Sequence, residues 1–102
     1  MLLIQKVALQ IPDGKPVISG IQIRAGRALL GWDQAKLAEV AGISIITVKR
    51  LEAAGEDIHA HFATVVKVKL AFESAGVLFL GEESGLGYGV RLRAQRMSSR
   101  KK

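Results

Sequence analysis

Apolar residues recur at helical spacing in four stretches of the chain, and a glycine follows each one. In the first, Ile21, Ala25, Ala28 and Leu29 line one side, with Gln22, Arg24 and Arg27 outside and Gly31 as the stop. Ser19 stands at the N-cap with Gln22 three residues on, the pattern of a capping box, so a helix is expected from Gly20 to Leu30. In the second stretch Leu37, Ala38 and Ala41 form the stripe, Asp33 caps and Gly42 stops, giving a helix over residues 34–41. In the third, Val48 and Leu51 form the stripe, Ser44 caps and Gly55 stops, giving a helix over 45–54. Trp32 with Leu37, and Ile43 with Val48, sit at the two positions of a hydrophobic staple. In the fourth, Val65, Val68, Phe72 and Ala75 recur at intervals of three and four. Leu70 and Ala71 widen that face before Gly76, giving a helix over 62–75.

The period changes at both ends of this helical block. Val77-Leu78-Phe79-Leu80 is a short apolar run. GEESGLG is a glycine-rich connection, and from Tyr88 to Arg93 Val90 and Leu92 alternate with Arg91 and Arg93. This pattern predicts a β-hairpin with one face on the helices or across a dimer axis. Residues 1–18 alternate raggedly. A strand over 2–10 before the turn signal Ile11-Pro12-Asp13-Gly14-Lys15 is favoured over a poorly ordered leader, because Leu2, Leu3, Ile4 and Val7 would be an aggregation liability if unpaired. Such a strand could pair with residues 16–18 or grip a second subunit. Residues 56–63 read as a loop or an irregular approach to the fourth helix. The expected organisation is an arm or strand at 1–18, a helical domain at 19–76, a hairpin at 77–93 and a basic disordered tail at 94–102. The fold class is mainly α, with four helices and a small C-terminal β-hairpin.

The closest spacing is between the second and third helices. Gly42, Ile43 and Ser44 alone join them, and two capped helices so connected cannot stack antiparallel. They must cross steeply, as in a helix-turn-helix, where the second helix protrudes far enough to enter a DNA major groove.

Composition changes this picture only in part. A chain of 102 residues, 49% hydrophobic, is one small domain with a modest core. No apolar run reaches the roughly 18 residues of a membrane span. The N-terminus has neither the basic region nor the continuous apolar core of a signal peptide. The absence of cysteine excludes disulfides and thiolate-bound zinc and suits a cytoplasmic protein. The net charge is +6, but residues 1–90 hold nine basic and nine acidic side chains. The excess is carried by Arg91, Arg93, Arg96, Arg100, Lys101 and Lys102. Within 19–55, Arg24, Arg27, Lys36, Lys49 and Arg50 face Asp33, Glu39 and Glu52, an excess of two. The clustered cations of the tail suit either a phosphate backbone or a solvated end.

The run ISGIQIRAGRALLGWDQAKLAEVAGISIITVKRLE resembles the helix-turn-helix of the Cro/C1-type (Xre-like) repressor superfamily. It is most similar to short α-proteobacterial regulators with Gln22-Ile23-Arg24-Ala25, Arg27, Leu29-Leu30-Gly31-Trp32, Gln34, Leu37-Ala38, Ala41-Gly42-Ile43-Ser44, Thr47-Val48 and Glu52 at these spacings. ESAGVLFL and GVRLR resemble the endings of the same proteins, so the likeness spans residues 18–93. It implies a four-helix, lambda-repressor-like domain that binds double-stranded DNA, commonly as a homodimer, and regulates transcription, with repression the expected mode; no cofactor is expected. It also implies roles for single residues. Gln34 would contact a phosphate and brace the recognition helix. Ser44, Ile45, Ile46, Thr47, Lys49 and Arg50 would face the groove, and Glu52 would pair with Arg24 or Arg27 of the first helix.

Ile45 and Ile46 depart from the family, which is typically polar there. An isoleucine cannot hydrogen-bond a base edge. It can touch a thymine methyl or fill space, leaving Thr47, Lys49 and Arg50 for polar contacts. The competing function is a protein-interaction or antitoxin-like module in which the two isoleucines form an apolar patch. A blander reading has one of them in the core. No other constellation carries chemistry. His59 and His61, with only Glu56 and Asp57 near, make an incomplete metal site. Gly81, Gly85, Gly87 and Gly89 lack the Lys-Ser/Thr and the helix of a phosphate loop and read as a hairpin turn. No Ser/His/Asp set has a catalytic context, so an enzyme is not expected. Trp32 reads as a staple and core residue rather than a base-stacking platform.

Overall fold

The structure, a computed structural model, describes residues 18–55 and 62–94. The expected N-terminal strand, the loop bearing His59 and His61, and the tail from residue 95 lie outside them. Among the described residues the chain forms α1 (Gly20–Leu30), α2 (Gln34–Ala41), α3 (Ile45–Ala53), α4 (Phe62–Ser74), β1 (Val77–Leu80) and β2 (Gly89–Leu92). The strands are antiparallel, with Val77 opposite Leu92, Leu78 opposite Arg91, Phe79 opposite Val90 and Leu80 opposite Gly89. This is a mainly helical fold with one small two-stranded sheet.

Local chemistry accounts for the helix ends. The Ser19 hydroxyl accepts from the backbone N–H of Gln22 at 3.1 Å, while Gln22 Oε1 accepts from the Ser19 N–H at 2.9 Å. Asp33 Oδ1 accepts from the Lys36 N–H at 2.8 Å, and Ser44 Oγ from the Thr47 N–H at 3.1 Å. Each bond satisfies a donor that the first helical turn leaves without an intrahelical partner. Gly31 and Gly42 end α1 and α2 in the left-handed conformation, with φ of 70° and 74°. The glycine-rich connection is a tight hairpin turn, closed by two backbone hydrogen bonds of 2.9 Å between Glu83 and Leu86.

The core gathers Ile18, Ile23, Leu37, Val48, Leu51, Val65, Val68, Phe72 and Val77. Phe72 of α4 joins its parts. Trp32 stacks on its ring at 5.7 Å, and Phe79 of β1 meets it edge-on at 5.6 Å. The expected core role of Trp32 is therefore seen. On the inner hairpin face Val77, Phe79 and Val90 pack on this centre, whereas Leu92, expected to share that face, is 46% exposed.

Two helix faces depart from the sequence expectation. On α1 the buried residues are Gln22, Ile23 and Gly26, whereas Ile21 and Leu29 are 46% and 41% exposed and Ala28 is exposed. The cause is the hairpin. Gln22 Nε2 donates to the carbonyls of Gly89 at 2.9 Å and Leu80 at 3.2 Å, one cross-strand pair, so this face is turned inward despite its amide. Burial of a polar side chain is tolerable when its groups are hydrogen-bonded. At Gly26 the Phe72 ring comes so close that an added Cβ would lie 3.1–3.3 Å from it, a space that only glycine leaves open. On α4 the buried face is Val65, Val68, Ala71 and Phe72. Leu70 is 58% exposed and Ala75 is exposed, so neither belongs to the stripe assigned to them.

Candidate nucleic-acid interface

The chain turns from α2 into α3 around one acceptor. The Ala38 carbonyl receives the N–H of Gly42 at 2.9 Å and of Ile43 at 3.1 Å. Ile43 then packs against the core, which sets the direction in which α3 leaves. Val48, Leu51 and Glu52 form the buried side of α3. Ile45, Ile46, Lys49, Arg50 and Ala53 are exposed. At about 100° per residue these five occupy one arc of the helix spanning about 140°. The blander expectation, one isoleucine in the core, is not met: Ile45 is 38% and Ile46 62% exposed.

Glu52 anchors α3 from behind. Its side chain is 5% exposed, and its two oxygens accept from Arg27 Nε at 2.7 Å and Arg27 Nη2 at 2.9 Å. Gln34 Nε2 of α2 donates to the same carboxylate at 3.1 Å, and Arg27 Nη1 also donates to the Trp32 carbonyl at 3.1 Å. One buried carboxylate thus ties three helices together, and the fork of the guanidinium suits two parallel bonds to it. Of the two candidate partners, Arg27 takes the carboxylate, while Arg24 Nη2 reaches only the Glu52 backbone carbonyl at 3.4 Å. The hydrogen bond to Glu52 raises the Arg27 pKa, opposed by burial and helped by the charges of Glu52 and Asp33.

The other expected site residues divide into two groups. Ser44 and Thr47 are engaged with each other, Oγ to Oγ1 at 2.9 Å, and Ser44 Oγ also holds the helix cap. Gln34 stands at the start of α2 but commits one amide hydrogen to Glu52, and Asp33 already occupies the Lys36 N–H of that helix end. Lys49 and Arg50 are exposed on the arc with Ile45 and Ile46, and Lys36 is exposed on α2. Asp33 and Glu39 are the exposed acids of these helices, and Arg27 and Glu52 neutralise one another. The arrangement presents two cations and two rigid apolar side chains on one convex helix face. Gln22, the clamp between α1 and the hairpin, was not expected to be buried. Its place in the capping box was the only available signal, since the cap already draws its side chain toward the chain start.

Among the described residues no group of three potential metal ligands is present, and no helix is long and apolar enough to cross a membrane. The chain matches no family profile, and no curated protein matches it significantly.

Proposed function

We propose that the protein is a DNA-binding transcriptional regulator of the helix-turn-helix, lambda-repressor-like kind, a cytoplasmic repressor acting as a homodimer on a two-fold operator. The observation that carries this reading is the exposed arc of α3. It presents Lys49 and Arg50 beside Ile45 and Ile46, on a helix anchored to the domain through the Glu52 network. A helix held this way can enter a major groove as a rigid unit, with its cations on the phosphates and its first turn at the base edges. The dimer follows from size, since one nine-residue helix reads too few base pairs for specificity. The resemblance of residues 18–93 to Cro/C1-type regulators points the same way.

The test is selection of bound duplexes from a random pool at two salt concentrations. Enrichment of a two-fold motif with half-sites about 34 Å apart is the expected result. Failure to enrich any motif, with binding lost at moderate salt, would overturn the reading. The 62% exposure of Ile46 favours one competitor, an apolar patch that binds protein in an antitoxin-like module.

A further inference from the structure

Ile45 and Ile46 are the most prominent side chains of the first turn of α3, and three observations bear on what they meet. They are branched at Cβ, so in a helix each holds essentially one χ1 rotamer and loses little side-chain entropy when covered. They are followed at i+4 by Lys49 and Arg50 on the same arc, whereas Glu52, the only acid of α3, is on the buried side. The two hydroxyls nearby, Ser44 and Thr47, share one hydrogen bond with each other, and Ser44 Oγ also accepts from the Thr47 N–H, which leaves one hydroxyl hydrogen between them. The first turn therefore offers a surface of methyl groups flanked by cations and by the positive end of the helix dipole. Its complement is apolar at the centre and anionic at the rim. A DNA major groove has this character at thymine, where the 5-methyl group is the apolar feature of the groove floor and phosphates border it.

We infer that Ile45 and Ile46 read pyrimidine 5-methyl groups in the major groove, so that the bound sites are marked by thymine opposite the first turn of α3. The inference rests on the DNA-binding reading and names the chemistry of its specificity. Lys49 and Arg50 hold the flanking phosphates and contribute affinity without sequence information.

The test takes a duplex recovered in the selection and replaces its thymines by uracil one at a time, which removes a single methyl and keeps base pairing. The full-length protein is expected to lose about fourfold in affinity for each methyl in contact, the effect of leaving one buried CH₂-sized group unmade at ~0.8 kcal/mol. The variant Ile45→Ala/Ile46→Ala, checked for native circular dichroism, is expected to bind thymine and uracil duplexes alike. If uracil is without effect at every position while the duplex is still bound selectively, the methyl readout is wrong and the regulator reading stands. An equal uracil penalty in the double variant would also refute the methyl readout. If no duplex is enriched and the double variant instead abolishes association with a protein or with a second copy of the chain, both readings fall.

Discussion

Replacing Glu52 by alanine tests the anchoring of α3 most directly. The substitution removes three hydrogen bonds, of 2.7, 2.9 and 3.1 Å, and leaves the Arg27 guanidinium, 18% exposed, with the Trp32 carbonyl. Hydrogen bonds to a charged group contribute ~1.5–3 kcal/mol each, and stranding one partner of a buried pair costs ~3–5 kcal/mol. The residual exposure of Arg27 admits water, so the lower end applies, a loss of about 3 kcal/mol. Arg27→Met is expected to cost a similar amount, because Glu52 then keeps only Gln34. The double variant Arg27→Met/Glu52→Ala strands no charge, and its cost is expected to fall at least ~2 kcal/mol short of the sum of the single effects. Urea unfolding followed by circular dichroism measures all four corners of this cycle, with the slope m checked for constancy. Against a total stability of ~5–15 kcal/mol, each single variant is readily resolved. A loss below about 1 kcal/mol for Glu52→Ala, or strict additivity in the double variant, would refute the claim that this carboxylate ties the helices together.

Further outcomes follow from the same packing. Gly20→Ala is expected to cost at least ~2 kcal/mol in thermal unfolding despite the ~1 kcal/mol gain in helix propensity, because the new Cβ would overlap the Leu51 carbonyl oxygen. Gln22→Leu is expected to lower stability by about 2 kcal/mol and to speed amide exchange in β1 and β2, since the Leu80 and Gly89 carbonyls lose their shared donor. Unchanged hairpin protection would count against the clamp. Lys49→Ala and Arg50→Ala are each expected to reduce the salt slope of DNA affinity by about 0.9 while leaving the selected motif unchanged. A changed motif would mean that these residues read bases.

The helix boundaries were legible in the amino-acid order because capping acts within about four residues. Ser19 with Gln22, Asp33 before Lys36, Ser44 before Thr47, and the glycines at 31 and 42 define α1, α2 and the start of α3 before any long-range contact forms. The hairpin was legible for a similar reason, since alternation over β1 and β2 with a glycine-rich turn between them is a local pattern. Periodicity alone does not settle which side of a helix is inward when both sides carry apolar residues. On α1 the stripe of Ile21, Ala28 and Leu29 competed with Ile23, and arrival of the hairpin carbonyls at Gln22 and of the Phe72 ring at Gly26 decided between them. The choice of Arg27 over Arg24 as the partner of Glu52 likewise depended on how α1 crosses α3. The exposure of Ile45 and Ile46 belongs to the same class. Once Val48, Leu51 and Glu52 are drawn into the core and the Arg27 network, the rotation of α3 is set, and the two isoleucines are left facing outward.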